Sequence, residues 1–234
     1  MSEADDLVAA VRRAIGEAAD PQRAPGMQAY MKSSMRYRGV AAVPLAKVCR
    51  AVFKEHPLRD RRSWENAVHS MWDGAEYREE RYAAISLARF PRYRAYQDAD
   101  TLGLYRHLIV TGAWWDYVDD IASHLMGGIL RNDPERVSPI MRRWARDKDL
   151  WIRRAAILCQ LGRKAQTDLD LLRDAVEANM AQSPFGSEFF IRKAVGWALR
   201  QYAWTDPGWV VAFVERHADQ LAPLSRREAL KNVA

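Results

Sequence analysis

Four side chains stand out because their type does not suit the helical face on which they fall. At about 100° per residue, Trp114, Val118, Ile121 and Leu125 form one apolar stripe within 114–127. Trp115 and Asp119, four apart, are neighbours on a second face about 100° round. The predicted helix thus packs with Trp114 and offers an indole and a carboxylate elsewhere. An amphipathic Trp115 resting on the next helix pair, beside a solvated Asp119, has the same pattern. Over 187–203 the core stripe is Ile191, Val195, Ala198 and Tyr202, and Lys193, Trp197 and Arg200 lie nearly opposite. A large aromatic facing away from the core between two cations is unusual. It fits a surface cation–π cluster. It fits equally a nucleic-acid platform, with the cations on phosphates and the indole against a sugar or base. Arg154 lies among Leu150, Ile157, Leu158 and Leu161 in a predicted helix that is apolar almost all round. A buried guanidinium needs an anion, either a carboxylate from an adjacent helix or a ligand phosphate.

The elements that carry these residues follow from the punctuation. Pro-containing breaks at Asp20-Pro21, Val43-Pro44, His56-Pro57, Phe90-Pro91, Asp133-Pro134, Ser183-Pro184, Asp206-Pro207 and Ala222-Pro223 separate segments rich in Ala, Leu, Arg and Glu. The spacing predicts thirteen helices, at 4–19, 21–33, 44–55, 63–73, 76–89, 100–110, 114–127, 134–146, 149–161, 167–180, 187–203, 207–218 and 223–232. Trp209–Val214 is the best strand candidate and also fits a helix. Short helices joined by short loops, recurring in two-helix units, have the spacing of HEAT-like solenoids. No composition shift marks a boundary, so a single domain over 1–234 is expected.

Composition narrows the function classes. Hydrophobic residues make up 49% of the 234, enough for a sizeable core, which excludes a wholly disordered chain. The net charge is +6, and 29 of the 36 cations are arginines. Arginine suits bidentate phosphate contact, although a GC-rich genome would also favour it. Cys49 and Cys159 are far apart, which argues against a disulfide scaffold and for a reducing cytosol. No secretory signal and no membrane-spanning apolar run are seen, so a soluble, cytoplasmic protein without membrane partners is expected. Phosphate-cradling glycine loops, a Ser-His-Asp arrangement and helix-turn-helix or finger signatures are all missing. The five histidines show no ligand spacing, so no metal and no other cofactor is expected.

Five blocks then resemble a known family. They are Met27-Gln-Ala-Tyr-Met-Lys32, Val110-Thr-Gly-Ala-Trp-Trp-Asp-Tyr-Val-Asp119, Trp151-Ile-Arg-Arg-Ala-Ala-Ile-Leu158, Glu188-Phe-Phe-Ile-Arg-Lys-Ala-Val-Gly-Trp-Ala-Leu-Arg200 and Leu221-Ala-Pro-Leu-Ser-Arg-Arg-Glu-Ala-Leu230. In this order they resemble the AlkD-like DNA glycosylases, from about residue 27 to the end. The resemblance implies an all-α fold, a right-handed solenoid of about six HEAT-like helix pairs with a concave DNA-binding face. It implies excision of cationic N3- and N7-alkylpurines such as 3-methyladenine and 7-methylguanine from double-stranded DNA, initiating base excision repair by a monomeric enzyme. Some relatives act on bulky adducts. The family's catalytic aspartate falls on Asp119, its two active-site tryptophans on Trp115 and Trp197, and its arginine on Arg154. The last would clamp a phosphate and orient Asp119. Tyr30, Lys32, Lys193 and Arg200 are the implied DNA contacts. Excision without a base-flipping pocket is also implied. The alternative is a non-catalytic binder of damaged or branched DNA on the same scaffold.

Overall fold

The computed structural model describes residues 2–233; the first and last residues of the expected 1–234 domain lie outside them. The described residues are helical throughout, without a strand; Arg36 and Tyr77 form an isolated bridge. This is the all-α class that the sequence implies. No helix among them is long and apolar enough to cross a membrane.

The chain divides into two compact units, Met1–Tyr96 and Gln97–Ala234. The first contains α1 (Glu3–Glu17), α2 (Ala24–Met31), α3 (Ala42–Glu55), α4 (Arg61–Asp73), α5 (Arg78–Ala88) and a 3-10 segment at Pro91–Tyr96. Here α1 packs on α3, α4 and α5. Leu7, Val11, Ile15, Phe53, Trp64, Met71, Trp72 and Leu87 form its core.

The second contains α6 (Leu102–Gly112), α7 (Trp115–Asp120), α8 (Gly127–Asn132), α9 (Pro134–Trp144), α10 (Leu150–Leu158), α11 (Leu169–Glu177), α12 (Phe189–Ala203), α13 (Pro207–Arg216) and α14 (Pro223–Ala229). Helix α10 lies at its centre, against α6, α7, α9, α11 and α12, and α12 in turn packs on α13 and α14. This succession of neighbours is of the kind a helical solenoid has.

Each expected helix has a counterpart. Aspartates set several starts, because a carboxylate one residue before the helix accepts its first free N–H groups. Asp133 accepts from Arg136 and Asp206 from Trp209, each with proline at the first helical position. Asp149 accepts from Trp151 and Ile152. At Asp20-Pro21 the same chemistry makes a turn instead, with Asp20 accepting from Gln22 and Arg23, so α2 starts three residues late. Trp209–Val214 lies within α13. The predicted helix at 114–127 runs on to Asn132 through a π-helical stretch, Ile121–Met126.

Candidate functional site

The off-pattern residues of the second unit meet at one cavity of about 290 Å³. Its position depends first on the break between α6 and α7. Ala113 takes a left-handed conformation, φ 43°, and Trp114 is extended. The helix therefore begins at Trp115 rather than Trp114. Trp115 stands in the first turn and Asp119 one turn further on. Trp114 is half-buried and packs edge-on against Phe190, with ring centroids 5.6 Å apart and Trp151 6.1 Å away. The rest of the expected stripe, Val118, Ile121 and Leu125, is fully buried.

The helix must approach α10 closely for Asp119 to meet Arg154. Gly127 permits this, since a Cβ there would stand 2.7 Å from the carbonyl oxygen of Cys159. The π-helical stretch adjoins the site, and Ser123 Oγ donates to the Asp119 carbonyl at 2.6 Å. Local π turns inside α-helices are rare and recur at functional sites.

Arg154 and Asp119 form a two-point pair. Arg154 Nε donates to Asp119 Oδ1 at 2.7 Å, and a terminal nitrogen donates to Oδ2 at 2.8 Å. The other terminal nitrogen donates to the Phe190 carbonyl. With its side chain only 5% exposed, Arg154 meets the carboxylate and one backbone carbonyl through three of its five N–H donors. The anion it meets within the protein is Asp119. Burial pushes the Asp119 carboxyl above its ordinary range, Arg154 opposes the rise, and the charge of Asp116 adds to it.

Helix α12 supplies the opposite wall. Ile191, Val195 and Ala198 are buried as expected, while Tyr202 is half-buried against Trp209. Lys193, Trp197 and Arg200 line the cavity. Asp119 and Trp197 also line a second cavity of about 400 Å³, with Ser123, His124 and Gln201. Tyr30 is 78% exposed in α2, and Lys32 is its exposed, left-handed C-cap. Both belong to the first unit and line neither of these cavities.

Three further residues line the first cavity: Phe189, Phe190 and Glu228. Phe189 is half exposed, and the block that carries Trp197 also contains both phenylalanines. Phe190 acts on Arg154 through its backbone carbonyl, which no side-chain pattern reveals. Glu228 bridges Lys193 and Arg200. Its carboxyl is held below the usual range by the Lys193 hydrogen bond, with the charges of Arg200 and Lys231 adding to the effect. Arg153, next to Arg154, is also buried but lies outside the cavity. It donates to the carbonyls of Arg146, Asp147 and Ala178 and to Asn179 Oδ1. Cys49 and Cys159 are free and buried, which pushes both thiols up to about 12.

The family model described as DNA alkylation repair enzyme matches residues 11–233, and the chain belongs to that family. It is similar to a solved structure described as a predicted DNA alkylation repair enzyme from Enterococcus faecalis. That similarity has 28% identity and a TM-score of 0.83, over 92% of this chain and 97% of the other. No curated protein matches it. The protein is thus of the class of enzymes that repair alkylation damage, with DNA as the substrate the family implies.

Proposed function

We propose that the protein is a monofunctional DNA glycosylase that hydrolyses the N-glycosidic bond of cationic N3- and N7-alkylpurines in duplex DNA. The observation that carries this reading is a largely enclosed carboxylate, Asp119, held at two points by Arg154 in a cavity shared with Trp115 and Trp197.

Ordinary glycosidases need two carboxyl groups, one of them to protonate the leaving group. An N3- or N7-alkylpurine is already positive and leaves as a neutral base, so it needs no general acid. Glu228, the other carboxylate at the cavity, suits no such role, because two cations keep it ionised. One carboxylate near C1′ suffices to stabilise the developing oxocarbenium ion and to hold or deprotonate the attacking water. Asp119 takes that part. Trp115 and Trp197 contact the deoxyribose, whose C–H groups gain positive charge as the bond breaks. Arg154 fixes the carboxylate in place.

A cavity of about 290 Å³ accommodates a sugar and its neighbouring groups. The half-exposed Phe189 at this cavity supports a lesion read from outside, without flipping into a closed pocket, and leaves room for bulky adducts. Lys193 and Arg200 bind backbone phosphates beside Trp197. Tyr30 and Lys32, exposed in the first unit, are further DNA contacts.

The deciding assay is release of free 7-methylguanine and 3-methyladenine from methylated duplex DNA. The reading expects release by the wild-type chain and strong loss in Asp119→Asn. Tight binding of methylated or branched DNA without release would instead establish the non-catalytic binder.

A further inference from the structure

The two cations that flank Trp197 already hold an anion. Lys193 Nζ lies 3.0 Å from Glu228 Oε1, and Arg200 Nη1 lies 2.5 Å from Glu228 Oε2. One carboxylate spans two cations, one oxygen to each, as the two non-bridging oxygens of a phosphodiester would. Its side chain is 14% exposed, against 38% for Lys193 and 23% for Arg200.

The packing of α14 on α12 puts it there. A Cβ on Gly196 would stand 2.5 Å from Glu228 Cβ and 2.9 Å from the Ser225 carbonyl oxygen, so glycine is what allows this approach. Ser225 Oγ donates to the Arg192 carbonyl at 2.9 Å and pins the two helices together. The backbone of Glu228 is thereby fixed, while its carboxylate can swing on its own side-chain torsions.

We propose that Glu228 occupies, in the DNA-free protein, the seat of a backbone phosphate between Lys193 and Arg200, and that DNA must displace it. The inference rests on the reading of this cavity as a DNA site. With Glu228 seated, the cluster of Lys193, Arg200 and Glu228 presents one net positive charge instead of two. A phosphate arriving there competes with a carboxylate that is covalently present and therefore always at hand. Glu228 thus holds down affinity for DNA of any sequence and limits the time spent on undamaged duplex and on product.

The test is equilibrium binding of the full chain to one undamaged duplex at several salt concentrations. Glu228→Gln should tighten binding on the order of five- to tenfold at 0.1 M salt and steepen the salt dependence by about one ion. The gain should vanish in a Lys193→Gln/Arg200→Gln background, where nothing remains to compete for. If Glu228→Gln fails to fold, Glu228→Asp keeps the charge but is one methylene too short to span both cations, and should tighten binding to a smaller degree. Folded Glu228→Gln that binds no more tightly than wild type, or a gain that persists in the double background, overturns the proposal. A wild-type chain that releases alkylated bases while Glu228→Gln gains no affinity defeats this inference alone. A chain that gains affinity but releases no base defeats the glycosylase reading alone. Absence of any DNA binding defeats both.

Discussion

Glu79 and Asp119 are both buried carboxylates, one in each unit, and they are buried to opposite ends. Glu79 is wholly enclosed and accepts from the backbone N–H groups of Arg38, Gly39 and Val40 at 2.8–3.1 Å. It fixes the segment between α2 and α3 and lines neither of the two cavities described above. Asp119 is held by one guanidinium and opens on a cavity with two indoles. The adjacent Arg153 and Arg154 repeat the contrast. Arg153 ties carbonyls and Asn179 together, whereas Arg154 aims a carboxylate. Burial of a charge records a desolvation cost that some partner offsets. It points to chemistry only where the charge also borders space that a substrate can enter.

The largest effect should separate the two carboxylates by what they lose. Asp119→Asn removes a charge aimed at the developing oxocarbenium ion, on the order of 2–4 kcal/mol or about 30- to 1000-fold in single-turnover excision. Burial outweighs the Arg154 pairing at this carboxyl, so a neutral isostere there should leave folding largely intact and the loss should fall on the rate. Glu79→Gln should cost about 1.5–3 kcal/mol of stability while the rate per folded molecule stays unchanged. Rates must therefore be read below both melting transitions. An equal drop in rate for folded Glu79→Gln would break the comparison.

The arginine pair gives the next effect. Lysine cannot reproduce a two-point grip on a carboxylate, so Arg154→Lys should lower single-turnover excision roughly 10- to 30-fold while retaining the charge. Arg153→Lys should lower the melting temperature and leave the excision rate of the folded protein as it was. The opposite assignment of rate and stability losses would show that Arg153, not Arg154, serves the site.

At the mouth of the cavity the effect is smaller and falls on binding. Arg200→Ala should weaken binding to all sequences about equally, several-fold, and reduce the salt dependence by about one ion. A loss confined to one sequence would mean base contact instead of phosphate contact.

Much of this was legible because it is local. Aspartate before proline marked the starts of α9 and α13, and the 3.6-residue period set Trp115, Asp119 and Trp197 off their core stripes and put Arg154 inside an apolar one. Those four positions, chosen on three separate helices, come together at one cavity. The remainder was not local. The Phe190 carbonyl belongs to the backbone, and Glu228 reaches Lys193 and Arg200 from α14, about thirty residues away. The π-helical stretch at Ile121–Met126 closes on Gly127, whose N–H bonds to the Ala122 carbonyl, but Gly127 and Gly128 alone do not tell a widened helix from an ordinary one. Arg154 was legible as needing an anion, but only tertiary packing determines that the anion is Asp119. Cys159 and Gly127 matter through the approach of two backbones, which a hydrophobic pattern does not encode.

The smallest effect concerns a residue beside the site rather than in it. Burial, above all, raises the Asp119 carboxyl; Arg154 works against the rise, and Asp116, three positions earlier, adds a weaker push through its charge. Excision needs Asp119 ionised, so the rate should fall as pH drops through the titration of this carboxyl, which burial raises above the ordinary aspartate value. The cationic lesion does not blur this limb, because its charge comes from alkylation rather than from a proton. Asp116→Asn removes one like charge and makes ionisation of Asp119 easier. The acid limb should therefore move to lower pH. Single-turnover excision across the acid range would show the shift, and Asp119→Asn would show no such limb. A limb that stays in place in Asp116→Asn would mean that this charge is screened from Asp119. A limb that persists in Asp119→Asn would mean that a different group sets it.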